Sequence, residues 1–139
     1  MQTLRVLLPA LWAGVLLGVA GIAAPSAFAA LAPSDAGKVV AHVWRIDAYL
    51  GLVLPLAVVL IERRFVRGLN ATMLLALGAL FCTVAGYFAV QPMLAAARQG
   101  QGPLGFGQLH AVSVAFFSLK TLLVLALAWR AAAVRPSSS

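Results

Sequence analysis

Apolar residues run along this chain in four long stretches, broken by three short polar segments. Positions 6–34 carry no charge over 29 residues, and positions 68–97 carry none over 30. Each stretch exceeds the ~20 apolar residues with which a helix crosses ~30 Å of hydrocarbon. Positions 48–61 are charge-free for only 14 residues, but the apolar approach from Val39 extends that segment to 23 and brings in His42, Arg45 and Asp47. Positions 109–129 are apolar except for His110 and Lys120. The pattern predicts an all-α fold: an integral-membrane, up-down bundle of four transmembrane helices near 5–31, 39–61, 71–95 and 108–131. It forms a single domain over 1–139, with a flexible tail at 132–139.

The breaks have their own chemistry. Ala32, Pro33, Ser34 and Asp35 end the first helix, and Ser34 or Asp35 can cap the second. Residues 62–68 (Glu62, Arg63, Arg64, Phe65, Val66, Arg67, Gly68) are too charged for lipid, and Asn70 can cap the third helix. Residues 99–105 have the glycines and proline of a turn. Short connections require consecutive helices to run antiparallel.

Composition supports the class: 63% of the residues are hydrophobic and 9% charged, against roughly 45–50% and about 25% in soluble domains. The net charge of +7 resembles that of a nucleic-acid binder until its distribution is read. With the N-terminus in the cytoplasm, Arg5, Arg63, Arg64, Arg67, Arg130 and Arg135 lie inside, while Lys38, Arg45 and Arg98 lie at or near the outer side. The positive-inside rule therefore favours both termini in the cytoplasm and leaves no nucleic-acid face. A rival reading takes Met1 to Ala29 as a secretory signal cleaved before Ala30. Its apolar stretch at 6–24 is 19 residues, longer than the usual ~7–15 of such a signal, which favours a retained helix.

Candidate chemistry is sparse. Lys120 sits near the bilayer midplane, where a charge must face the interior, pair or deprotonate. Asp47 is the single acid within a span, roughly 12 Å down its helix, with Lys120 about 18 Å down its own. An interhelical Asp47–Lys120 pair follows, either as structural glue or as a proton or substrate relay. His110, Ser113, Phe117 and Lys120 fall on one inward polar stripe. His42 and His110 stand at equal depth on different helices, where they could ligate a b-type haem or a metal such as copper, with Arg45 near a propionate. Trp44 and Trp129 read as belt anchors at opposite interfaces. Cys82 reads as a packing residue, and Gly14 with Gly18 as a place for close helix approach. The glycines at 100, 102 and 105 fit a dinucleotide-binding spacing but follow no strand, so they carry negligible weight for that function. Catalytic triads, carboxylate pairs and Cys/His clusters are absent from the sequence, which argues against hydrolysis.

Several segments resemble a bacterial inner-membrane family, the domain of unknown function 4149, whose eukaryotic members are called transmembrane protein 205-like. Residues 8–14 with 24–28 (Leu8, Pro9, Trp12, Gly14; Pro25, Phe28) resemble its opening helix. Residues 36–40, with Asp47 before Ala48 and Tyr49, resemble its second helix. Residues 73–78 and Gln91, Pro92 and Met93 are similar to helix three and its exit. Residues 106–113, from Phe106 through His110 to Ser113, are similar to the start of helix four. His42 and Arg45 depart from that pattern. The family also looks distantly related to copper-resistance D-like proteins and to the membrane protoporphyrinogen oxidase. That oxidase's family carries a histidine in helix one, and this chain has none there.

The resemblance implies a multi-pass inner-membrane protein and lends it no activity, and the missing catalytic sets weigh against an enzyme without excluding one. The expected role is that of a structural, interaction or stress-related component, with the lipid bilayer, a second copy or another membrane protein as its expected partner. No cofactor is expected. The alternatives are a small oligomeric transporter or resistance factor using Lys120 and Asp47, and a haem-b redox protein using His42 and His110.

Overall fold

The computed structural model describes residues 1–134. Four helices, α1 (Gln2–Ala30), α2 (Pro33–Arg63), α3 (Ala71–Arg98) and α4 (Phe106–Ala133), are each long and apolar enough to span a membrane. Among the described residues there is no strand. Each helix packs on its neighbour in sequence, and α4 closes the ring against α1. The pairs α1/α3 and α2/α4 therefore face each other across the diagonals.

Helix starts differ from expectation where backbone chemistry overrides hydropathy. α2 begins at Pro33, six residues before Val39, because proline's fixed φ suits the first helical position. Its cap is Ala32, which makes no side-chain bond, so Ser34 and Asp35 lie inside the first turn. α4 begins at Phe106, with the Gln108 side-chain oxygen accepting from the Gly105 N–H at 3.1 Å. Asn70 caps α3 and accepts from Met73 N–H at 2.9 Å. Gly68 and Gly100 take φ of 86° and 71° in the connections, a region that glycine enters without Cβ strain. The tail expected from residue 132 starts within α4, and 135–139, including Arg135, lie outside the described residues.

Two wide π turns, Val19–Ala23 in α1 and Val84–Ala89 in α3, interrupt the α geometry. Hydropathy gives no sign of them. The buried cluster joins Trp12 and Leu16 of α1 to Val58 of α2, Ala76 of α3, and Val124 and Leu127 of α4. Leu11, Ile22, Val53, Leu60, Phe81 and Leu122 are each at least 63% exposed. In hydrocarbon such side chains would lose nothing by facing outward, and helix association there would depend on close packing and polar ties rather than on hydrophobic burial.

Close packing is provided by glycines that touch other helices. A Cβ on Gly51 would stand 2.5 Å from Thr83 Oγ1, 2.9 Å from its Cγ2 and 3.2 Å from its Cβ. Gly51→Ala is expected to lower stability by about 1–3 kcal/mol through overpacking. Adding Thr83→Ala should recover most of that loss, since the two closest atoms are then gone. Unfolding midpoints in detergent that show no recovery would refute the contact. Gly14 and Gly18, by contrast, have nothing within 4 Å of an added Cβ. They face away from the other helices, and no close approach is built on them within the bundle.

Candidate functional site

The starts of α2 and α4 set the depth of the charged residues. Asp47 stands 14 positions after Pro33, and Lys120 stands 14 after Phe106. At 1.5 Å per residue both lie about 21 Å down parallel helices. The 6 Å offset expected from the sequence vanishes because α2 starts six residues earlier than expected and α4 only two. Lys120 Nζ lies 2.6 Å from Asp47 Oδ2, and both side chains are at most 5% exposed. The pair spans the diagonal of the bundle. Above it Trp44 packs on Phe117, with ring centroids 4.5 Å apart, and the ammonium lies 5.1 Å from the Phe117 centroid. Trp44 is thus half-buried and points inward, unlike the expected belt anchor. Trp129 is 80% exposed.

The second carboxylate oxygen is the unusual atom. Asp47 Oδ1 is buried and has no hydrogen-bond partner among the described residues. Asp47 lines a cavity of about 20 Å³ together with Trp44, Cys82, Thr83, Tyr87, Ser113, Phe117 and Lys120. A space of about 10–15 Å³ by this measure admits one water. Thr83 donates back to Ala79 O at 3.1 Å, and Ser113 to Gly86 O at 3.2 Å. Ser113 therefore serves the backbone of the π turn, where the hydrogen-bond ladder is rearranged.

His42 and His110 are not brought together. His42 is nine positions into α2 and His110 four into α4, a difference in depth of about 7.5 Å. Both are exposed on the outside of diagonal helices. His110 leaves the expected stripe because Leu109, next to it, points inward onto Val90 and Leu94. Its imidazole instead stacks on Phe106, with centroids 6.1 Å apart and planes 9° apart. Two imidazoles so placed cannot grip one iron, and the residues present do not fit a haem. No cluster of three or more metal-ligating side chains occurs among the described residues.

A second polar tie was not foreseen. Arg5 of α1 donates to both oxygens of Glu62, at 3.0 and 2.8 Å, and Asn70 Nδ2 donates to the same carboxylate at 2.8 Å. The guanidinium also lies 4.6 Å from the Phe65 ring centroid. Glu62, expected in a loop, is a 4%-exposed residue in the last turn of α2. The clamp joins the start of α1, the end of α2 and the start of α3. The sequence signal was available: one acid among three arginines at a helix end needs a partner when its helix continues beyond the apolar run.

The cavity residues Thr83 and Tyr87 were also missed, although their four-residue spacing places them on one face of α3. Cys82, read as packing, is buried and lines the same cavity.

A model of the family described as "Domain of unknown function (DUF4149)" matches residues 7–102 of the chain. The matched region contains Asp47 and the cavity residues of α3, and it ends before α4. Lys120, His110 and Ser113, with the 106–113 segment, lie beyond it. No curated protein and no solved structure matches the chain.

Proposed function

We propose that this chain, which belongs to the DUF4149 family, is a multi-pass component of the bacterial inner membrane that works through helix-face interactions. The observation that carries this reading is the division of its side chains. The buried charges are tied helix to helix, as Lys120–Asp47 and Arg5–Glu62, while large apolar side chains cover the outside. Such a bundle suits lipid and offers its surfaces to other membrane helices.

Orientation follows from charge. The start of α1 and the ends of α2 and α4 share one end of the bundle, where Arg5, Arg63, Arg64, Arg67 and Arg130 gather. Lys38 and Arg98 mark the opposite end, with Arg45 further down α2. The positive-inside rule places both termini in the cytoplasm.

Two measurements test the reading. The chain should remain in carbonate-washed membranes, with a C-terminal green fluorescent fusion bright and an alkaline phosphatase fusion after Gln101 active. Active phosphatase at the C-terminus would reverse the orientation. A photo-crosslinking residue placed in turn at Leu11, Phe81 and Leu122 should join protein from at least one face. Adducts with lipid alone from all three faces would remove the interaction role.

A further inference from the structure

Two spaces meet at the Trp44–Phe117 contact. On the inner side lies the cavity of about 20 Å³, lined in part by Asp47, whose Oδ1 is buried and without a partner among the described residues. On the outer side, between α1 and α4, lies an open groove of about 540 Å³ lined almost wholly by apolar surface. The small side chains of Ala20, Ala24, Ser118 and Thr121 leave this gap, and Trp44 and Phe117 border both spaces. The groove falls within the ~300–1,000 Å³ of small-molecule sites.

We propose that groove and cavity form one site for a neutral, lipid-soluble alcohol or phenol. The molecule lies with its apolar body in the groove, and its hydroxyl donates to Asp47 Oδ1. Each part of the site limits the ligand. The groove opens toward the hydrocarbon side of the bundle, so the body must be apolar. The cavity takes one water-sized group, which restricts the head to a hydroxyl or an amine. Asp47 Oδ1 is a buried acceptor without a partner, so the head must donate. Lys120, 2.6 Å from the other oxygen, repels a second cation and excludes the protonated amine. A fatty-acid carboxylate would meet the Asp47 carboxylate and is excluded by like charge. The neutral hydroxyl remains. Binding turns the Trp44 indole aside, since that ring and Phe117 stand between the two spaces.

The inference rests on the helices lying in lipid, and its test is separate from that of membrane insertion. Trp44 becomes the single fluorophore when Trp12 and Trp129 are replaced by Phe. Titration with ω-bromoundecanol, whose bromine quenches indole fluorescence, should quench Trp44 at about tenfold lower concentration than its methyl ether, which cannot donate. In Asp47→Leu/Lys120→Met the preference should disappear, while the two compounds still quench through the groove. Ala20→Phe, which fills the groove, should weaken both. The alcohol should also raise the thermal midpoint of the unsubstituted chain more than the ether does, a readout independent of the tryptophan replacements. Equal quenching and equal stabilisation by alcohol and ether would overturn the site, as would a preference that survives the double substitution. A chain that stays in carbonate-washed membranes yet shows no preference refutes this site and leaves the membrane reading intact.

Discussion

Replacing Lys120 alone by Met is expected to destabilise the purified protein by about 3–5 kcal/mol, whereas Asp47→Leu/Lys120→Met together should leave stability near its original value. The single change strands a buried carboxylate already short of one hydrogen-bond partner. Removing one member of a buried pair costs this much because the survivor keeps its desolvation penalty without its counter-charge. The double change removes both penalties and fills the space with side chains of similar volume. Asp47→Leu alone should be about as harmful as Lys120→Met. A double-mutant cycle from reversible unfolding in detergent reads the coupling directly. Coupling near zero would mean that the 2.6 Å contact contributes nothing to holding α2 and α4 across the bundle.

The second large effect is expected at Gly86. A Cβ there would stand 2.4 Å from Phe116 Cβ, an atom fixed to the α4 backbone that no rotamer change can move. Gly86→Ala must therefore separate α3 from α4, stretching the bond from Ser113 Oγ to the Gly86 carbonyl. A loss of about 1–3 kcal/mol is expected, with a clear fall in the unfolding midpoint. Gly14→Ala is the control, because nothing lies within 4 Å of its added Cβ. It should be neutral, or stabilising by the ~0.5–1 kcal/mol that alanine gains over glycine in a helix. Equal midpoints for Gly86→Ala and wild type would show that the two helices do not meet as closely as described.

The two substitutions probe different kinds of information. Lys120 and Asp47 are conspicuous in the sequence because a charge within an apolar run has to be explained. Their shared depth is less visible, since it depends on Pro33 and Phe106 starting their helices earlier than hydropathy suggests. Gly86 carries no such signal. Its closeness to Phe116 depends on the π turn at Val84–Ala89, which changes the direction of side chains further along α3. Arg5 and Glu62 are legible as charges but not as a pair, because they lie 57 positions apart in sequence. His110 shows the opposite error. Its helical phase places it near Phe117, yet the inward-facing Leu109 at that end of the bundle turns it outward.

By itself, the sequence determined the number of helices, their approximate extent and their antiparallel order, because the span of hydrocarbon and the satisfaction of backbone hydrogen bonds act on each segment separately. It also marked Asp47 and Lys120 as residues that have to be paired or neutralised. Only the tertiary structure decided that α2 and α4 lie on a diagonal, that Asp47 keeps one oxygen without a partner among the described residues and lines a water-sized cavity, and that Trp44 and Phe117 border both this cavity and an apolar groove. These features depend on angular phase and on contacts between segments remote in sequence. Apolar side chains gain little by choosing one another over lipid, so hydropathy carries almost no record of which faces meet.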